Sequence, residues 1–377
     1  MRIGFDLRPF LREETGVGIY YKNLLFHLAQ IDRSNEYFLF SSSWKDRFPT
    51  QKIPALARKE CRDLRIPVRI LNFFWHKLGW PPLDYFFEKK LDLTHSPTPL
   101  FLPTKGKKVV TVHDLFFMDF PEKAEREART DFFKKTRQSL ERSDGIITVS
   151  QFTKQEIMTR FQIAETKIKV IPHGVDHKFW EDIVPQEVEE TRQKFDLSPS
   201  FILFVGALEP RKNLLNLIDA LEIIHNKYKK IQLVIAGPKA EDSKNLEKRI
   251  GQKKLQTWVK VLGYLPQKEV RNLYHLASAF AFPSFCEGFG FPLLEAMASG
   301  LPIAASSVSA IPEVAQEAAL FFRPEDVEDM AEKIILLLQD NDLRQSLRAK
   351  GKKRAADFNW RTTASQTLNF YQSFFDK

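Results

Sequence analysis

Three stretches of the sequence hold residues whose types and spacing can do chemistry. The first runs from Gly206 to Asn213, where Arg211 and Lys212 precede a helical pattern. Two cations at a helix start, with open backbone N–H groups and the helix dipole behind them, suit a doubly charged anion. Arginine offers phosphate oxygens a planar fork, and lysine adds a mobile point charge. Asn213 is the expected N-cap. The second stretch is PSFCEGFGFPLLEAMA, residues 283–298. It places Glu287 in a loop and Glu295 in what reads as the first turn of a helix that Pro292 opens. Gly288 and Gly290 permit close approach of the backbone to a ligand. Carboxylates beside an anion site are poor company for phosphates but good acceptors for sugar hydroxyls. Taken singly, each glutamate also has a plain structural account, as a dipole partner or a loop charge. In the third stretch, His113-Asp114 at a strand end can orient a substrate or move a proton, although a buried, satisfied histidine fits the same residues. Thr15-Gly16-Val17-Gly18 lacks the third glycine of a dinucleotide fingerprint and reads as a flexible loop.

These residues need strand ends to stand on. Short apolar runs at 2–6, 36–40, 67–71, 108–112 and 145–149 alternate with amphipathic stretches such as 17–30. A second series follows at 201–205, 231–236, 258–262, 279–282, 302–305 and 319–322, with a helix expected at 213–227. Near-continuous apolar strands alternating with helices predict parallel sheets covered on both faces. The chain has 377 residues, enough for about two domains. The polar, acidic segment near 175–200 marks the junction, giving a first domain at 1–180 and a second at 181–357. Residues 358–377 are expected as a helix packing across both, with Trp360, Ala364, Leu368, Tyr371 and Phe375 on one stripe. Two doubly wound domains facing each other would leave a central cleft at the carboxyl ends of their strands, where ligands bind in such sheets.

In this order the pieces TGVGIY, VVTVHDL, IITVS, IKVIPHGVD, FVGALEPRKN, VIAGP, VLGYLP and PSFCEGFGFPLLEAMASGLPIAAS resemble the family 4 glycosyltransferases, retaining enzymes of the GT-B fold. The likeness covers nearly the whole chain and includes the E-x7-E spacing of Glu287 and Glu295. It implies a hexosyltransferase that uses a nucleotide-sugar, with GDP-mannose favoured and a UDP-hexose or another GDP- or dTDP-sugar as alternatives. Arg211 and Lys212, with Gly206, would hold the diphosphate. Glu295 would bond the ribose, with Leu294 beside it, and the backbone around Tyr264 would meet the base. Glu287, Phe289 and Gly290 would contact the sugar and the distal phosphate. His113 would touch the sugar from the opposite domain, and Gly16 to Gly18 would close over the phosphates. His113, Glu287, Arg211 and Lys212 are thus the catalytic set. Pro172-His173-Gly174 departs from the Pro-Asn-Gly common in relatives, and the glycine is read as the residue that turn requires. No metal and no cofactor are expected. The D-x-D at Asp340-Asn341-Asp342 reads as a helix junction with Asp342 as N-cap.

Composition narrows the rest. There are 57 Lys and Arg against 48 Asp and Glu, a net charge of +9. Residues 1–180 carry 31 against 22, the whole excess, while residues 181–377 carry 26 of each. Such asymmetry points to an acidic partner for the first half. Between 58 and 90, Arg58, Lys59, Arg62, Arg65 and Arg69 mix with Leu71, Phe73, Phe74, Trp75, Leu78 and Trp80. That mixture suits an anionic membrane surface and a lipid-linked acceptor for a surface polysaccharide. The plain reading makes the aromatics core, Leu71 and Phe73 above all. A nucleic-acid-binding protein is the rival of another class, but no aromatic-basic recognition module is present. A sugar-nucleotide epimerase or hydrolase is the rival enzyme, and a phosphorylase lacks a cofactor-lysine site. Two cysteines, Cys61 and Cys286, give no disulfide framework, and no apolar run approaches the ~18 residues of a membrane span. No leader is expected before Arg2-Ile3-Gly4, so the expected place is the cytoplasm, or the inner face of the membrane.

Overall fold

A computed structural model describes residues 1–8, 15–47, 54–118 and 126–376. The chain forms two units, Met1–Gly174 with Asn359–Lys377, and Val175–Phe358. The first is built from β1 (Arg2–Asp6), α1 (Gly16–Ile31), β2 (Glu36–Ser42), β3 (Lys59–Leu64), α2 (Val68–Leu78), α3 (Leu83–Phe87), β4 (Leu93–Ser96), β5 (Lys107–Val112), α4 (Arg126–Arg142), β6 (Gly145–Thr148), α5 (Gln151–Phe161) and β7 (Ile168–Val170). Its seven strands are all parallel, in the order β3-β2-β1-β4-β5-β6-β7. Helices on both faces explain the apolar runs, since the inner strands have no wet face. The order reverses between β1 and β4, so the carboxyl ends of these two strands diverge and open a crevice.

Several expectations for this unit change. Residues 67–71 are not a strand: they open α2, with Pro67 at the N-cap, where its missing N–H costs nothing. Leu71 and Trp75 lie one turn apart and face the core, while Phe73 is 53% exposed. The helix ends at Gly79, whose φ of +62° suits glycine. Strand β3 carries polar residues, none of them buried, because it is an edge, and β4 (LTHS) is short but wholly buried. Gly16 and Gly18 form the first turn of α1 rather than a flexible loop, and the Thr15 hydroxyl caps it by accepting from the Gly18 N–H at 3.2 Å.

The second unit runs α6 (His177–Glu181), α7 (Pro185–Lys194), β8 (Phe201–Val205), α8 (Leu214–Lys227), β9 (Gln232–Ala236), α9 (Ser243–Gln252), β10 (Val259–Gly263), α10 (Gln267–Leu276), β11 (Ala279–Phe282), α11 (Phe291–Ala298), β12 (Ile303–Ser306), α12 (Ile311–Ala315), β13 (Ala319–Phe322), α13 (Val327–Gln339) and α14 (Asn341–Ala355). Its six parallel strands take the order β10-β9-β8-β11-β12-β13, which reverses between β8 and β11. One face of the sheet packs on α8 and α13 through Leu217, Leu221, Ile224, Ile334 and Leu337, all buried. The D-x-D is a helix start, but the cap is Asp340, whose side chain accepts from the Leu343 N–H, and Asp342 is exposed.

The chain re-enters the first unit at Asn359 and ends in α15 (Trp360–Gln372), which packs on α1. Its buried stripe is Trp360, Thr363, Ala364, Thr367 and Tyr371; Leu368 is half-buried and Phe375 exposed. Gly174 is required by close approach, since a Cβ there would strike the backbone of Trp360. No helix among the described residues is long and apolar enough to cross a membrane.

Candidate active site

The reversal between β8 and β11 brings together two loops more than 70 residues apart in sequence. After β8 the chain passes Gly206 and makes a 3₁₀ turn at Pro210–Lys212; after β11 it passes Pro283 and reaches Glu287. The Phe285 N–H donates to the Arg211 carbonyl at 2.8 Å and ties the loops. The Glu287 carboxylate then bridges both cations: Arg211 Nη1 donates to Oε2 at 2.9 Å and Lys212 Nζ to Oε1 at 2.5 Å. Arg211 also donates to Glu209 at 2.7 Å. Burial opposes a charge on Glu287, yet Lys212 and Arg211 outweigh it and hold the carboxyl at about 2. Lys212 is buried, with its ammonium 5.6 Å from the Phe282 ring centroid. A Cβ on Gly206, whose φ is +156°, would stand 3.1 Å from the Phe204 ring, tighter than an ordinary contact, so the close approach of that ring favours glycine here.

Asn213 is not a side-chain cap. It adopts the left-handed conformation (φ +57°), and its amide donates to the carbonyls of Pro283 and Pro324 at 3.0 and 2.7 Å. It fastens the β8 loop to the β11 loop, a job that asparagine's tolerance of positive φ permits.

Gly290 stands at the start of α11 with φ +95°, and Phe289 beside it turns its ring inward onto Phe358. The 287 loop is held from behind, since the Glu287 N–H donates to Ser309 Oγ at 3.0 Å and its carbonyl accepts from Ala310. Leu294 is fully buried in α11. Glu295 lies in the second turn of α11, not the first, and accepts from the Tyr274 hydroxyl at 3.1 Å. Burial raises its carboxyl to about 7, with Tyr274 pulling the other way. The two glutamates of the E-x7-E spacing thus have opposite environments: Glu287 is locked ionised, and Glu295 is poised near neutrality. Tyr264 follows β10 and is half exposed, two strands from β8 in the sheet order.

In the first unit, His113 follows β5. Its Nε2 lies 3.1 Å from the Pro97 carbonyl, which can only accept, so Nε2 carries the proton of the neutral ring. Its Nδ1 lies 3.4 Å from His173 Nε2, and the two rings stack at 5.3 Å. Tyr20 packs edge-on against His113 at 4.9 Å. Behind them runs a buried chain: the Tyr20 hydroxyl to Thr111 Oγ1 at 3.1 Å, Thr111 Oγ1 to His95 Nε2 at 2.7 Å, and His95 Nδ1 to the Tyr371 hydroxyl at 2.5 Å. Burial lowers His113 to about 4 and His95 to about 3, and lowers His173 as well. All three are neutral imidazoles at pH 7. Of these buried histidines and hydroxyls, the family resemblance implies a role for His113 alone. Tyr20, Thr111 and His173 stood inside its motifs, but only the parallel sheet and α15 bring them together.

Family models match both units: Glycosyltransferase Family 4 over residues 15–179 and Glycosyl transferases group 1 over residues 186–354. The chain is 30% identical over 388 aligned positions to the O-antigen chain mannosyltransferase B of Escherichia coli, covering 99% of this chain and 100% of that protein. Among solved structures, sucrose-phosphate synthase from Thermosynechococcus elongatus matches with a TM-score of 0.77 at 20% identity, over 99% of each chain. HepE of Anabaena in complex with UDP-glucose matches with a TM-score of 0.75 at 18% identity, over 99% of this chain and 100% of that one. The structural likenesses carry the GT-B fold, and the end-to-end relative carries the family. The chain belongs to family 4 of the glycosyltransferases.

Proposed function

We propose that the chain transfers a hexose, mannose in the first place, from GDP-mannose to a glycan or lipid-linked acceptor during assembly of a surface polysaccharide. Transfer retains the anomeric configuration and needs no divalent metal. The observation that carries this reading is the Arg211–Glu287–Lys212 cluster at the β8/β11 reversal. Mannose and polysaccharide are supported by the name of the E. coli relative. A UDP-hexose is the second donor, supported by HepE in complex with UDP-glucose.

The chemistry follows from charge. Breaking the bond from the anomeric carbon to phosphate develops negative charge on the leaving diphosphate, and fixed cations aimed there lower the barrier. Glu287 holds both cations in place before any donor arrives, so little reorganisation is left for the reaction itself. As diphosphate binds, Arg211 and Lys212 turn bonds from Glu287 toward phosphate oxygens, and the freed carboxylate accepts from sugar hydroxyls. Glu295 accepts from the ribose, while Gly206 and the amides of Phe289 and Gly290 line the phosphate path. Retention follows from front-side attack, with the departing phosphate taking the acceptor's proton. His113, neutral at pH 7, suits accepting from a sugar hydroxyl at Nδ1 in exchange for its 3.4 Å contact with His173, and not proton donation.

Calorimetric titration with GDP, UDP, dTDP, ADP and a random oligonucleotide tests the reading, followed by donor hydrolysis in excess chelator. GDP should bind tightest and GDP-mannose should be hydrolysed with chelator present. Preference for UDP would move the donor to a UDP-hexose. Binding of the oligonucleotide and of no nucleoside diphosphate would overturn the reading.

A further inference from the structure

We propose that an open cavity on the first unit, between the end of α2 and α4, takes the phosphate headgroup of an anionic lipid, while the exposed apolar ridge of α2 lies in the membrane interface. The cavity measures about 530 Å³. Four cations from three elements line it: Lys77 at the end of α2, Lys108 at the start of β5, and Lys135 and Arg142 on α4. Among the described residues that line it there is no carboxylate. Lys77, Lys108 and Arg142 bring like charge to one recess, and a bound anion relieves their repulsion.

What makes the anion a lipid is the surface next to it. Thirteen large apolar side chains are exposed among the described residues, and five of them, Ile70, Phe73, Leu78, Trp80 and Tyr85, fall within sixteen positions. Helix α2 buries Leu71 and Trp75 and turns Arg69, Ile70, Phe73 and Lys77 outward, with Lys77 Nζ 5.1 Å from the centroid of the Phe73 ring. Leu78 belongs to both features, lining the cavity and continuing the ridge. A free phosphate would use the cations and be indifferent to the ridge. A phospholipid uses both, its headgroup among the cations and the rings at headgroup depth. The basic residues upstream contribute less: Arg62 is paired with Glu60 at 2.9 Å, and Lys59 donates to the Pro54 carbonyl.

The site is separate from the candidate active site. Lys108 and His113 lie near opposite ends of β5, about 16 Å apart at ~3.3 Å per residue. The inference therefore stands apart from the donor reading and can fail without it. The test is co-sedimentation of the full chain with vesicles of phosphatidylcholine alone, and of phosphatidylcholine with increasing phosphatidylglycerol. Two variants accompany it: Lys77→Gln/Lys108→Gln/Arg142→Gln, and Phe73→Ser/Leu78→Ser/Trp80→Ser. Calorimetry with nucleoside diphosphate and thermal unfolding verify that both remain folded.

The wild type should bind in proportion to phosphatidylglycerol and weaken with salt. The charge variant should lose roughly a hundredfold, about fivefold per cation. The ridge variant should lose binding while keeping its response to lipid charge. Equal binding to neutral vesicles, or a charge variant that binds like the wild type, would overturn the proposal. So would a ridge variant that binds like the wild type while inorganic phosphate competes, since that marks a free-phosphate site.

Discussion

Arg211 and Lys212 are neighbours in sequence but not in environment. Arg211 retains 14% of its side-chain surface, and Lys212 is buried against Glu287. Replacing either by alanine should cut turnover by about 10²–10³, the loss typical of removing one contact to developing negative charge. Their stabilities should diverge. Arg211→Ala takes a partner from Glu287 but leaves the buried Lys212 bond intact, and should cost the less, about 1–2 kcal/mol. Lys212→Ala leaves a buried carboxylate short of a partner and should cost about 3 kcal/mol, the low end for a broken buried pair because Arg211 remains. Adding Glu287→Gln to Lys212→Ala should restore most of that stability and none of the turnover. Urea unfolding and turnover of the four proteins check this. Glu295 sets a pH dependence. Its carboxyl rises from 4.5 to about 7 on folding, so the unfolded chain ionises first and stability falls as pH climbs between those values. Ribose hydroxyls donate to the ionised form, so nucleoside diphosphate affinity should rise as pH passes about 7. Glu295→Gln should flatten both curves. A binding curve of unchanged slope in that variant would remove Glu295 from the donor site.

At the scale of elements, α15 is tied to the sheet through the buried hydroxyl of Tyr371. Tyr371 reaches His95 Nδ1, and Tyr371→Phe leaves that nitrogen without its partner in a dry site, which should cost about 1–3 kcal/mol. Phe375→Ser, on the exposed end, should stay within about 0.5 kcal/mol. Thermal unfolding of the two variants separates these outcomes. The same helix shows what a sequence reveals and what it withholds. Its apolar period reads clearly, but two of the five buried stripe positions are threonines, Thr363 and Thr367, whose hydroxyls donate to the carbonyls of Pro172 and Thr363. Strands with continuous apolar runs, such as FILFV and AFAF, were legible because burial on both faces leaves only one composition. Strand β3 was not, since an edge strand may carry charge, and PVRIL is ambiguous because four apolar residues in five fit a strand and a helix start alike. In the site, residue types and strand ends were readable. The pairing of Glu287 with two cations 75 and 76 positions away was not, since only the reversal of strand order creates it.

The whole molecule is one domain inserted into another, and the insertion has closed ends. The Val175 N–H donates to the Phe358 carbonyl at 3.2 Å, so the second unit begins and finishes at one hydrogen bond. Its core, from Ile202 to Leu347, is drawn from within that continuous segment. The first unit is the discontinuous one: Gly174 abuts the backbone of Trp360, and α15 covers α1 and completes the chain through His95. A domain with adjacent ends and its own core tolerates excision. Residues 175–358 expressed alone should therefore fold cooperatively and bind nucleoside diphosphate, since Arg211, Lys212, Glu287 and Glu295 all travel with them. Residues 1–174 alone should not fold, because they leave Tyr20, Tyr21 and His95 without the helix that covers them. Joining residue 174 to residue 359 through a short glycine linker should restore that unit, the two backbones already being in contact. Circular dichroism melts of the three proteins, with calorimetry on the first, decide the matter. A segment 175–358 that melts without cooperativity would mean that its core depends on the rest of the chain.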